Sequence, residues 1–63
     1  MRIVLLKTGQ KVAVDRFATF EFASRFAREH GFRLVRGDDE CLWALSPSDL
    51  RLAVAAGYEE VAL

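Results

Sequence analysis

The side chains best suited to covalent chemistry in this sequence are its one cysteine, Cys41, and its one histidine, His30. With Asp38 or Asp39 as an orienting carboxylate, they would form a nucleophile, base and acid set. Three acidic residues directly precede the cysteine, however, and negative neighbours disfavour the reactive thiolate. No glycine-rich elbow or known catalytic signature surrounds Cys41. We therefore expect Cys41 to be a small apolar residue at the start of a strand, and we predict that the protein is not an enzyme.

Two features suggest metal ligands, and both have simpler structural explanations. His30 precedes Gly31, where a helix is expected to end, so its ring can interact with the last helix carbonyls. The run Asp38–Glu40 offers carboxylates to a hard divalent cation but lacks the alternating spacing of a calcium loop. We predict a histidine at a helix end, a solvated acidic turn and no cofactor, with ion binding at Asp38–Glu40 left open by the sequence.

The charges of this sequence are strongly segregated along the chain. Residues 1–36 hold eight basic and three acidic side chains, a net charge of +5, and residues 37–63 hold one and six, a net charge of −5. Such asymmetry suits a basic surface for nucleic acid, a dipolar surface for self-association, or ion pairs within one small domain. The arginines that would contact nucleic acid are Arg16, Arg25, Arg28, Arg33 and Arg36.

Five phenylalanines invite a comparison with proteins that stack aromatic rings on nucleic-acid bases. Four of them fall at core spacing on a predicted helix, and the sheet motif of RNA-recognition domains is absent. The apolar arc of that helix spans about 220°, which is wider than one sheet contact requires. We therefore expect some aromatic side chains to face a second subunit, and the candidates are Phe17, Phe22, Phe26, Trp43 and Tyr58.

The first half of the chain predicts a hairpin followed by a helix. Arg2–Leu6 and Lys11–Asp15 are short β-type runs joined by a four-residue turn. Residues 16–30 carry a helical period, with Asp15 as a plausible N-cap and Gly31 as the terminating glycine.

The second half predicts another hairpin, a helix and a closing strand. Residues 32–36 alternate as a half-buried strand, and residues 41–45 are nearly all apolar, as in an interior strand covered on both faces. Ser46, Pro47 and Asp49 are typical of a helix start. That helix should end at Gly57, and residues 58–63 read as a strand that runs parallel to residues 41–45 after a right-handed crossover.

The predicted order ββαββαβ defines the expected fold. From Lys11 onward it resembles the split βαβ, or ferredoxin-like, pattern, and the resemblance is one of topology over about 53 residues. It implies a two-layer α+β sandwich, with a mixed sheet and both helices on one face. The pairing of residues 2–6 is open at this point, because the ferredoxin-like arrangement makes the strand at Lys11 central. The fold by itself implies no activity.

Composition limits the chain to one small domain, residues 1–63, with no net charge. No unbroken apolar run exceeds five residues, which is far shorter than the roughly 18 residues of a membrane span, and we expect neither a signal peptide nor a membrane partner. A lone cysteine suits a reducing compartment, so we expect a cytoplasmic protein. Seven Arg against two Lys, nine Ala, one Gln and no Asn favour a GC-rich genome, as in a thermophilic bacterium.

A chain this short is expected to have little stability of its own. Area scaling gives roughly 6,200 Å² buried on folding. If about 60% of that area is apolar, its burial contributes about 93 kcal/mol, against about 95 kcal/mol for ordering the chain. We therefore predict a non-catalytic interaction module that self-associates, as a homodimer. The alternatives are an accessory protein that binds nucleic acid through residues 16–36, and a small ligand-binding domain or enzyme around His30 and Cys41.

Overall fold

The computed structural model describes all 63 residues, and it confirms the α+β class and the ββαββαβ order. Five strands form one sheet with two helices packed on it, and the folded chain exposes 4006 Å². The elements are β1 (Arg2–Leu5), β2 (Lys11–Phe17), α1 (Phe20–His30), β3 (Arg33–Arg36), β4 (Leu42–Leu45), α2 (Pro47–Ala55) and β5 (Glu60–Val61). Neither helix is long and apolar enough to cross a membrane.

The sheet has the order β1-β2-β4-β3-β5, and every hydrogen-bonded pair in it is antiparallel. The prediction of a mixed sheet is therefore wrong. β4 and β5 do run in the same direction, as the strand–helix–strand unit predicts, but β3 lies between them. The first strand pairs within the chain, since Arg2 lies opposite Val14 and Leu5 opposite Lys11.

The two helices lie on opposite faces of the sheet, so the prediction of two layers with both helices on one face is also wrong. Neighbouring residues of β3 separate the faces: Leu34 packs in a cluster with Ala23 and Ala27 of α1, and Val35 packs in a second cluster with Ala53 of α2. All four residues of β4 are buried, in agreement with the prediction of a strand covered on both sides. The result is a helix–sheet–helix arrangement of three layers.

The position of β1 explains this departure from the ferredoxin-like order. In that fold the last strand lies beside the strand that β2 represents here, and β1 already occupies that edge. β5 must instead cross to the far edge, beside β3. The crossovers from β2 to β3 and from β4 to β5 both move across the sheet towards its β5 edge. They start from strands that run in opposite directions, because β2 and β4 are antiparallel. If both are right-handed, their helices must lie on opposite faces.

Local sequence signals fix several of the element ends. Gly9 has a φ of 89° in the turn between β1 and β2, and Gly31 has a φ of 69° at the end of α1. The Ser46 hydroxyl accepts a hydrogen bond from the Asp49 N–H at 3.2 Å, which caps α2. These turn and cap predictions are confirmed.

The start of α1 differs from the predicted one. The helix begins at Phe20 with Thr19 as its N-cap, and Asp15 and Arg16 belong to β2. Asp15, Arg16 and Phe17 pair with Ala44, Trp43 and Leu42 of the interior strand β4. Pairing with a central strand outweighs the helical period of these residues, because it supplies backbone hydrogen bonds and buried neighbours together.

Candidate interaction surface

The outer edge of β1 carries main-chain groups with no partner in the chain. The Leu6 N–H donates to the Gln10 carbonyl at 2.8 Å, and antiparallel pairing alternates from that position. The main-chain N–H and C=O groups that point towards β2 are therefore those of Arg2, Val4 and Leu6. The corresponding groups of Ile3 and Leu5 point outward, away from the sheet. β1 is thus an edge strand available for pairing.

The side chains of the same two residues are exposed. Ile3 is 62% and Leu5 is 61% accessible, although both belong to the most apolar residue types. They lie opposite Ala13 and Lys11 on the face that carries α1, which packs over β2, β3 and β4. Ile3 and Leu5 therefore form an apolar strip beside a free sheet edge, and we call this feature the β1 edge.

The opposite edge of the sheet is protected by comparison. β5 has only two residues, Glu60 and Val61, and the acidic Glu59 directly precedes it. Glu60 forms an ion pair with Arg33, and Glu59 lies 3.5 Å from Arg36. A short edge strand with paired charges is one of the ways in which proteins prevent strand addition.

The structure distributes the predicted interface aromatics between the core and the surface. Trp43 and Tyr58 are each 4% exposed and pack on each other with ring centroids 5.5 Å apart, so they belong to the α2-face core. Phe17 and Phe26 are half-buried against each other at 5.2 Å. Only Phe22 is largely exposed, at 55%, with the Arg25 guanidinium 5.7 Å from its ring centre.

The five arginines proposed for nucleic-acid contact do not form one basic surface. Arg16 lies 2.6 Å from an Asp39 carboxylate oxygen, and Arg33 and Arg36 pair with Glu60 and Glu59. The other two, Arg25 and Arg28, are exposed on α1.

The basic and acidic halves of the sequence neutralise each other inside the molecule. Four of the five ion pairs join a cation of residues 1–36 to an acid of residues 37–63. The sheet order brings this about, because β4 and β5 lie next to β2 and β3. Of the three interpretations of the charge asymmetry, ion pairing within one domain agrees best with this geometry.

His30 and Cys41 are placed by different elements, and no hydrogen bond joins them. The His30 ring ends α1 and stacks on Phe26 with centroids 4.2 Å apart, beside Phe32 at 6.0 Å. Cys41 is half-buried and precedes β4, at the edge of the α2-face core. Each has a packing role that accounts for its position.

A group of polar contacts that the sequence pattern does not predict surrounds Asp39. Its carboxylate accepts hydrogen bonds from the Cys41 N–H at 3.0 Å and from the Trp43 indole N–H at 3.1 Å, and it pairs with Arg16. Burial acts to raise the pKa of Asp39, but these donors and the arginine charge outweigh it and hold the pKa below its usual value. The hydrogen bond from the Cys41 N–H to the Asp39 side chain has the i to i+2 spacing of an Asx turn. That spacing is the feature of the sequence that indicates this contact.

Asp38, next to Asp39, contacts a different set of side chains. It accepts a hydrogen bond from the Tyr58 hydroxyl, and the Lys7 ammonium group lies 3.9 Å from it and 4.6 Å from the Tyr58 ring centre. Burial, followed by the Asp38 carboxylate, raises the pKa of Tyr58. No group of three or more His, Cys, Asp or Glu side chains is arranged to hold a metal ion. The acidic turn thus ties the β3–β4 hairpin to the rest of the domain.

A depression of about 430 Å³ is open to solvent and is lined by Met1, Arg2, Val14, Asp15, Arg16 and Phe17. No family model, curated protein or solved structure matches this chain.

Proposed function

We propose that the protein is a non-catalytic interaction module that self-associates through the β1 edge into a symmetric dimer. One observation carries the proposal: Ile3 and Leu5 present outward main-chain groups and side chains that are more than 60% exposed, on the same strand. Pairing of two such edges would satisfy the main-chain groups and cover the side chains together. It would join two five-stranded sheets into one.

A second copy of this chain suits the β1 edge on electrostatic grounds. The chain has no net charge, so two copies do not repel each other at long range. The one charged side chain on β1 is Arg2 at its start, and Lys7, two residues past its end, faces Asp38 of its own chain. An antiparallel pair also relates the edge to itself, as a closed symmetric interface requires.

The size of the edge predicts a weak dimer. Each copy would contribute one four-residue strand, which corresponds to the low end of interface areas, below about 1,200 Å² in total. We expect a dissociation constant on the order of 10–100 μM. Apolar contact and main-chain hydrogen bonds hold such a dimer, so its stability should change little with salt.

Sedimentation equilibrium across a concentration series from roughly 1 μM to 1 mM tests the proposal. The wild-type mass should rise from 7.1 kDa towards twice that value. Leu5→Lys places a charge in the apolar strip at a largely exposed position, so it should weaken association at least about tenfold without unfolding the chain. Val54→Lys is the matched control, because Val54 is 47% exposed but lies on α2.

A constant mass of 7.1 kDa up to about 1 mM would overturn the proposal. Association that survives Leu5→Lys but is lost in Phe22→Lys would also overturn it, in favour of an interface on α1. Dissociation of the dimer at high salt would instead indicate that attraction between charged surfaces holds it together.

A further inference from the structure

We infer that the two copies pair with Val4 on the two-fold axis, so that Ile3 of each copy lies opposite Leu5 of the other. This inference rests on the proposed function and specifies the register of the same edge. It follows from the pleat of β1 and from the positions of its outward residues.

The pleat restricts the register to a few alternatives. Only Ile3 and Leu5 direct main-chain groups outward within β1, and hydrogen-bonded partners in an antiparallel pair must both point towards each other. Symmetric pairing therefore centres on Ile3, Val4 or Leu5. A centre on Ile3 or Leu5 pairs that residue with the same residue of the second copy. The other outward residue then lies beyond the end of the partner's strand and has no residue of that strand opposite it. A centre on Val4 is the one choice that uses both residues of both copies.

Side-chain chemistry favours the same register. Residues that lie opposite each other in an antiparallel pair project from the same face. With Val4 on the axis, the exposed Ile3 and Leu5 side chains of both copies come together as one four-membered apolar cluster. The Val4 side chain projects from the other face, where it packs against the α2-face core of its own chain.

Disulfide trapping distinguishes the registers, in a Cys41→Ser background that removes the native thiol. The Val4 pair would be a non-hydrogen-bonded pair, with Cα atoms about 4.5 Å apart, which a disulfide can span. Two Ile3 residues would lie diagonally, about 8.7 Å apart by the strand spacings, which is beyond the reach of a disulfide. Two Leu5 residues would be separated in the same way.

With oxidised glutathione as the oxidant, Val4→Cys should form covalent dimer about tenfold faster than Ile3→Cys or Leu5→Cys alone. A mixture of Ile3→Cys and Leu5→Cys should yield the mixed dimer in preference to either homodimer. Far-UV circular dichroism and the mass of each reduced variant check that the fold and association are retained.

Two results would overturn the register while leaving the proposed function intact. One is fastest cross-linking of Ile3→Cys or Leu5→Cys alone. The other is a wild-type dimer, abolished by Leu5→Lys, from which none of the three cysteine variants is trapped. A wild-type chain that stays monomeric would instead refute the proposed function, and the register with it.

Discussion

Replacing Asp39 tests whether the acidic turn is held by its donors in the way the geometry indicates. Its carboxylate is the shared acceptor for the Cys41 N–H, the Trp43 indole and the Arg16 guanidinium. Asp39→Ala removes all three interactions. Asp39→Asn keeps one oxygen for the two N–H donors, and it removes the negative charge and the second oxygen that faces Arg16.

The magnitudes of the two substitutions should therefore differ. The Trp43 indole is in the core, and an unsatisfied buried donor costs about 1–3 kcal/mol. The ion pair with Arg16 is about one-third exposed on both sides and is worth less than about 1 kcal/mol. We expect Asp39→Ala to lower the unfolding free energy by about 2–3 kcal/mol and Asp39→Asn by about 1 kcal/mol. At about 4–8 °C per kcal/mol for a domain of this size, the alanine variant should lose roughly 8–24 °C in Tm.

Urea and thermal unfolding followed by far-UV circular dichroism measure both values. Trp43 fluorescence is less suitable, because the substitution alters the environment of the indole directly. Equal losses for the two variants would refute the argument, since they would show that charge alone matters. An alanine variant within about 0.5 kcal/mol of wild type would refute it as well, because such a loss is typical of an unremarkable surface site.

Three further perturbations follow from the same packing. Gly37→Ala places a Cβ 2.2 Å from the Trp43 indole, which must shift within the core, so chemical denaturation should show a loss of about 1–3 kcal/mol. Ser46→Ala removes the acceptor of the Asp49 N–H at the start of α2 and should cost about 1 kcal/mol in the same assay. The pKa of Asp39 is lower in the folded chain than its ordinary value of 3.8, so its stabilisation is complete above that pH and is lost as the pH falls through the folded-state pKa. The stability difference between wild type and Asp39→Asn should accordingly shrink below about pH 4, and a constant difference between pH 7 and pH 3 would contradict this assignment.

The element order was predictable because local chemistry specifies it. Ser46 caps a helix, Gly31 ends one, and Gly9 supplies the positive φ of a turn. These choices depend on residues close in sequence. The helical period predicts a start of α1 that is too early, because Asp15 and Arg16 satisfy that period while their pairing with β4 depends on residues nearly thirty positions away.

The arrangement of the layers and the polar contacts was less predictable from the sequence. The apolar run of β4 correctly indicated cover on both faces, and that prediction conflicts with two helices on one face. Cover on both faces of β4 requires a third layer, which the ferredoxin-like pattern lacks. The contact of Asp39 with Arg16 could not be read from spacing, because strand order creates it. The exposure of Ile3 and Leu5 likewise follows from which strands α1 covers.

Amide hydrogen exchange at Ile3 and Leu5 tests the central claim most directly, because those two N–H groups have no acceptor within the chain. At a total concentration about tenfold above the dissociation constant, about one-fifth of the chain is monomeric, so both amides should exchange up to about fivefold more slowly than in dilute protein. The Val4 amide, which is paired with β2, serves as the internal reference. If Ile3 and Leu5 exchange at the same fast rate at both concentrations, the β1 edge is not the site of self-association.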